Sequence, residues 1–274
     1  MDTATSDRPS ASGVQNTDSP AASAWHNDAS MTSPKSGRDS SVNGKHYKLT
    51  RESLLDGSHY ARISAAYGPN FRFMTDAERA AHIDGILARA PYRGSVWVFG
   101  YGSLMWNPAF HFAEERTARI HGFHRQFCLW ARSGRGSPER PGLMLSIESG
   151  GSCNGVAYRI ARHAVKTELD ILWRREMRSL SYRPLWVTAH TQKGAEQAIV
   201  FAVNRSHERY VPGLDAKTVV RYLANGAGLN GTCCEYLFDT VDHLRRLGIR
   251  DERMENLAWD VRALLQQKRV RGQR

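Results

Sequence analysis

Val96-Trp97-Val98-Phe99-Gly100-Tyr101-Gly102-Ser103-Leu104-Met105-Trp106-Asn107-Pro108 decides how the chain is read. Its first four residues are β-branched or aromatic with no polar break, the pattern of a short buried strand. The strand stops at Gly100-Tyr101-Gly102-Ser103-Leu104, where two glycines permit a tight turn and close backbone approach. Such a turn can aim several N–H groups at one anion, a carboxylate as well as a phosphate. A lone Gly-x-Gly is a weak signal, and an ordinary glycine-rich turn is the plain alternative. No Gly-Lys-Ser/Thr follows, so this is not a Walker loop, and the third glycine of a dinucleotide fingerprint is missing. Tyr101, not glycine, stands two residues before Ser103, which removes a nucleophile elbow.

Downstream, strand patterns recur at 118–120, 125–130, 143–147, 154–159, 185–190 and 197–204, with turn-rich stretches such as 133–141 and 149–152 between them. Upstream, Thr50 caps a short helix over 50–55. Thr75 and Glu78 have capping-box spacing at the start of a second helix, which runs to about residue 90. Ile83, Ile86 and Leu87 share one face of it, and residues 91–94 break it. Further helices are expected over 167–177, 215–224, 232–247 and 252–267. No internal repeat is visible. Strands mostly grouped and flanked by helices predict an α+β fold with a compact, barrel-like sheet.

Residues 1–45 are Ser-, Ala-, Asp-, Thr-, Gly- and Pro-rich, with no Leu or Ile and Trp25 as the one aromatic. Such a segment cannot bury enough apolar area to offset its ordering entropy, so a disordered tail is expected. The expected organisation is this tail, a helical extension over 46–94 and a catalytic domain over 95–267.

The 274 residues, 41% hydrophobic, suffice for one large or two small domains. No apolar run approaches the ~18–20 residues of a membrane span, and no apolar signal-peptide core opens the chain. Cys128, Cys153, Cys233 and Cys234 show no CxxC spacing; neither a disulfide framework nor a zinc site is indicated, and a reducing, cytoplasmic setting fits best. The net charge of +11 suits an anionic substrate, a membrane surface or nucleic acid. No basic stripe with interleaved aromatics is present, which argues against nucleic acid.

Two side-chain groups outside the turn merit weighing. Leu169, Leu172, Trp173 and Glu176 fall at i, i+3, i+4 and i+7, which puts Glu176 on the apolar face of its helix. A carboxylate there is costly to bury, and in a half-buried pocket its pKa would rise toward neutrality, which suits a general acid or base. On the residues alone, a surface ion pair with Arg174, Arg175 or Arg178 is the stronger reading. His111, His121 and His124 fit no zinc spacing, and surface or core histidines are expected.

The run from Val98 to Pro108 closely resembles the signature of the ChaC-like γ-glutamylcyclotransferases. The resemblance continues through Gly122-Phe123-His124-Arg125-Gln126-Phe127-Cys128-Leu129-Trp130, Arg135-Gly136-Ser137-Pro138-Glu139-Arg140-Pro141-Gly142-Leu143 and Gly150-Gly151-Ser152-Cys153-Asn154-Gly155-Val156-Ala157-Tyr158-Arg159. Leu172-Trp173-Arg174-Arg175-Glu176-Met177, Tyr182-Arg183-Pro184 and Cys234-Glu235-Tyr236-Leu237 extend it, so that about residues 48 to 265 look like the bacterial branch. The chain departs at Leu180-Ser181, where many relatives carry glycines.

The resemblance implies a small mixed β-barrel flanked by α-helices, with glutathione as substrate and neither metal nor cofactor. It implies that Gly100, Tyr101, Gly102, Ser103, Leu104 and Met105 bind the γ-glutamyl moiety, that Glu176 is the catalytic glutamate, and that Tyr182 lies near the substrate. A monomer is expected. The motifs fix the γ-glutamyl end better than the leaving group, so a cyclotransferase acting on other γ-glutamyl amines is the nearest alternative. A non-catalytic binding protein on the same fold and a nucleic-acid binder are rivals of other classes.

Overall fold

Every residue of strand β1 (Val96–Gly100) is buried, because it runs between two partners of one closed sheet. The computed structural model describes residues 49–67, 73–91 and 95–272. The expected tail over 1–45 and residues 92–94 of the expected helix break lie outside them. Strands β2 (Glu114–Ala131), β3 (Gly142–Ile160), β4 (Tyr182–Thr191) and β5 (Gly194–Val203) complete a barrel in the order β1-β3-β2-β4-β5. Closure is by a parallel pair, Trp97 opposite Ala198 and Val98 opposite Ile199, while the other pairings are antiparallel. The expected mixed barrel is therefore present. Val98, Phe99, Ile120, Leu145, Ile147, Ile160 and Ile199, on the two faces of its wall, are each at most 1% exposed.

Where the sequence suggested four strands over 118–159, there are two long ones. Ser149–Ser152 is not a turn between strands but the bend of β3, with Gly150 and Gly151 at φ 101° and 74°. Opposite them Gly122 stands at φ 81°, and the register shifts between His121 and Phe123. Glycine holds these left-handed conformations without a Cβ penalty, so one hairpin folds over on itself and keeps its partner.

Helices α1 (Arg51–Leu55), α2 (Ser58–Tyr67) and α3 (Asp76–Ala88) precede the barrel, and α4 (Val165–Glu176) connects β3 to β4. Thr50 and Thr75 cap α1 and α3 as their spacing predicts, each with a full capping box. Helix α2 was not expected. Among its described side chains it buries His59 and Ile63, an i, i+4 pair too sparse to read as a periodic face. On α4, Leu169, Leu172 and Trp173 are buried, and the Trp173 ring meets Phe201 edge-on at 5.2 Å. Trp173 Nε1–H donates to His82 Nδ1 at 3.1 Å and Arg51 grips Glu168 through two N–H groups, at 2.5 and 2.9 Å. These contacts seat the N-terminal helices on α4.

Helices α5 (Ala216–Asn225), α6 (Cys233–Arg246) and α7 (Glu252–Gly272) follow, with a two-residue ribbon, β6 (Ala227–Gly228) and β7 (Gly231–Thr232), before α6. A capping box between Thr232 and Glu235 sets the start of α6 and brings Tyr236 inward, 5% exposed.

Candidate active site

Glu176 is the last residue of α4, the helix whose apolar stripe faces the barrel. That geometry places its carboxylate at one end of the barrel, with the side chain 15% exposed. Burial pushes its pKa above the ordinary carboxylate value, and the neighbouring Arg175 and Arg178 partly oppose that. Arg175, 7% exposed, donates Nε–H to Glu176 at 2.8 Å. It also donates to Ser103 Oγ at 2.8 Å and to the Asn107 carbonyl. One guanidinium thus ties the carboxylate to the glycine-rich loop. The surface ion pair suggested by the sequence exists in part, because Arg175 is the partner, but the pair lies in a cavity.

The loop after β1 folds into a single 3-10 turn over Ser103–Met105. Its later N–H groups are used internally: Met105 N–H bonds to Gly102 O at 2.9 Å and Asn107 N–H to Ser103 O at 2.9 Å. The N–H groups ahead of them precede the first closed turn. Gly102 is required here by close approach, since a Cβ would lie 2.8 Å from the Tyr236 hydroxyl.

Three tyrosines surround the carboxylate. Tyr101 donates its hydroxyl to Phe201 O at 2.6 Å, and Tyr182 donates to Leu145 O at 3.0 Å. The Tyr236 hydroxyl lies against the turn at Gly102. Burial first, and the charge of Glu176 as a lesser cause, hold all three phenols protonated; Tyr236 is pushed up to about 12.

These groups line a cavity of about 390 Å³. Of the residues expected in the site, Tyr101, Gly102, Ser103, Leu104, Glu176 and Tyr182 form its walls. Gly100 and Met105 do not. Gly100 ends β1, where a Cβ would lie 3.0 Å from that of Leu104. Met105 is buried behind the turn, its carbonyl accepting from the Tyr158 hydroxyl at 3.2 Å. Tyr236, Arg135, Arg178, Arg209 and Asp239 also line the cavity, and sequence reading did not place them in the site. Tyr236 and Arg135 lie in blocks that carry the family resemblance, whereas Arg209 carries no periodic or motif signal. Leu49 and His59 reach the same cavity from the N-terminal segment.

The three histidines do not converge. His111 is 76% exposed beside Glu168, His121 packs against His190 with ring centroids 5.2 Å apart, and His124 bonds Gly150 O at 3.0 Å. Among the described residues no group of His, Cys, Asp or Glu is arranged to hold a metal ion.

Leu180, between wall residues Ser179 and Ser181, stands at φ 56°. This is the left-handed region that glycine enters freely, and a branched side chain there costs about 1 kcal/mol. Leu180→Gly should therefore leave stability unchanged or raise it by up to about 1 kcal/mol, read from the denaturant midpoint, because glycine's own chain entropy offsets part of the relief.

A five-stranded mixed barrel of this topology is the γ-glutamylcyclotransferase fold. A crystal structure of a γ-glutamyl cyclotransferase specific to glutathione, from yeast, superposes with a TM-score of 0.58 at 20% identity, covering 62% of this chain and 97% of that one. The chain belongs to the ChaC-like protein family, whose model matches residues 96–264. It is similar to the glutathione-specific γ-glutamylcyclotransferase of Escherichia coli K12, with 40% identity over 220 residues, 79% of this chain and 94% of the relative. It is also similar to γ-glutamylcyclotransferase 2-3 of Arabidopsis thaliana, with 30% identity covering 62% of this chain and 90% of the relative. Among the described residues no helix is long and apolar enough to cross a membrane.

Proposed function

We propose that this chain is a glutathione-specific γ-glutamylcyclotransferase that converts glutathione to 5-oxo-L-proline and L-cysteinylglycine, with Glu176 as general acid and base. The observation that carries the reading is Glu176 with its raised pKa, facing the Gly102–Leu104 loop across a cavity of substrate size.

The α-amine of the γ-glutamyl group attacks its own γ-carbonyl carbon and closes a five-membered lactam. The attack is intramolecular, so holding the substrate folded supplies much of the rate. The amine nitrogen gives up a proton to the Glu176 carboxylate as the new C–N bond forms. The bond from the γ-carbon to the cysteinyl nitrogen then breaks, and Glu176 returns the proton to that nitrogen. A carboxyl with a raised pKa serves both transfers. N–H groups of the 100–105 loop hold the α-carboxylate or the developing oxyanion, with Gly100 and Met105 shaping the loop and Tyr101, Gly102, Ser103, Leu104 and Tyr182 meeting the substrate.

The catalytic unit is residues 95–267, with 46–94 as a helical extension that adds Leu49 and His59 to the cavity. The proposed setting is the cytoplasm, a reading supported by four free cysteines, three of them buried. The proposal keeps a monomer acting without nucleic acid, in line with a sequence that has no basic stripe with interleaved aromatics.

Purified protein should release both products from glutathione and turn over γ-glutamyl-alanine far more slowly. Turnover of γ-glutamyl-alanine alone would keep the chemistry and overturn the substrate. Turnover of neither by folded protein would favour a binding protein on the same fold.

A further inference from the structure

Four guanidinium groups line the cavity, those of Arg135, Arg175, Arg178 and Arg209, against two carboxylates, Glu176 and Asp239. Arg175 is committed to Glu176 and the loop, and Arg135 lies 3.6 Å from Glu235. Arg209 differs from both. It follows β5 and is half-buried in the wall. Its Nε–H donates to Trp130 O at 2.7 Å and a further N–H to Ser179 Oγ at 3.1 Å. Both acceptors are neutral, and among the described residues no carboxylate forms an ion pair with it.

The carboxylate met by the flanking residues Arg205 and Tyr210 is Glu148, not free for Arg209. Arg205 grips it at 2.6 Å and the Tyr210 hydroxyl at 2.7 Å. Arg209 has two cationic neighbours, Arg178 and Arg132; burial first, then their charge, lowers its pKa to about 10, against the opposing effects of Tyr182 and Glu208. A cation held beside other cations in a partly desolvated wall raises the energy of the empty site, and an incoming anion relieves it. Its fork is fixed at two points by the Trp130 carbonyl and Ser179, which leaves it preorganised for a planar carboxylate.

Glutathione carries two carboxylates. The one on the γ-glutamyl α-carbon must stay with the amine that Glu176 deprotonates, next to the 100–105 loop. Arg209 is anchored to different elements: the end of β2 through Trp130 and the segment after α4 through Ser179. We propose that Arg209 is the specificity-determining residue for the leaving group, receiving the glycyl carboxylate of the cysteinylglycine half. The assignment rests on the reaction proposed above and adds the reason why a γ-glutamyl tripeptide is preferred over a shorter or neutral γ-glutamyl amine. Arg178 reinforces the field without being the anchor.

The test compares glutathione with its glycyl amide, which lacks only that carboxylate, on wild type, Arg209→Gln and Arg209→Lys. Wild type should prefer glutathione by about 10- to 100-fold in kcat/KM, the range for a hydrogen bond to a charged group. Arg209→Gln should bring that preference close to unity by lowering turnover of glutathione while sparing the amide, and Arg209→Lys should keep part of it. Equal turnover of both substrates by wild type would overturn the assignment, and that arm needs no variant to fold. Arg209→Gln losing both substrates alike, with the preference retained, would overturn it too, since Arg209 would then serve structure or the α-carboxylate. If wild type turned over neither substrate, the proposed reaction itself would fall, and this assignment with it.

Discussion

Glu176→Gln should lower kcat with glutathione by about 10²- to 10⁴-fold, or about 3–5 kcal/mol of barrier, while the fold is kept. Gln fills the same volume and still accepts from Arg175, but it cannot take a proton from the α-amine. Burial holds the folded pKa of Glu176 above its ordinary value of 4.5. The folded state therefore binds this proton more tightly than the unfolded chain does. Stability falls as pH rises from the unfolded value through the folded one, and the penalty is fully present above the folded pKa. Gln escapes it. At neutral pH the variant should melt at or above the wild-type temperature, and the difference should vanish as pH is lowered below the unfolded value. A dead enzyme that is no less stable is the mark of a residue kept for chemistry. A variant that is inactive and much less stable would assign Glu176 to structure instead.

Arg175→Met should be nearly as damaging, for two separable reasons. The guanidinium ties Ser103 and Asn107 to α4, so its loss frees the loop that meets the γ-glutamyl end. A fall in kcat/KM of about 10- to 100-fold at neutral pH is expected from losing charge-assisted bonds of this kind. The same charge lowers the pKa of Glu176, against the larger effect of burial. Without it the folded pKa rises further. The base must be ionised to accept the amine proton, so the acid limb of the kcat/KM profile should move to higher pH. Arg175→Lys keeps a positive charge but cannot span Glu176, Ser103 and Asn107 together. Its acid limb should stay closer to wild type although its rate falls. A purely structural role for Arg175 would lower activity in both variants and leave the limb in place.

Much of this was legible in the sequence where local chemistry dictates local structure. The capping boxes at Thr50 and Thr75, the uninterrupted β1 and the i, i+7 placement of Glu176 all follow from side-chain chemistry within one turn or strand. The γ-glutamylcyclotransferase resemblance, carried by many ordered blocks, reached the barrel and the family. What stayed hidden depends on contacts distant in the chain. Gly150 and Gly151 read as a turn because their positive φ is shared by turns and strand bends, and only pairing with the segment around Gly122 decides between them. Whether Glu176 met an arginine in solvent or in a cavity depended on Tyr101, Tyr182 and Tyr236 closing around it from three different elements. Arg209 gave no signal at all, since its meaning lies in Glu148 pairing elsewhere and in the neutral Trp130 carbonyl it meets instead.

The most direct test of the central claim follows 5-oxoproline and cysteinylglycine together from glutathione, with wild type and Glu176→Gln side by side. Wild type should form the two products in equal amounts, and the folded Gln variant should form neither at a comparable rate. Release of free glutamate in place of 5-oxoproline, or a Gln variant as fast as wild type, would contradict intramolecular cyclisation with Glu176 as its acid and base.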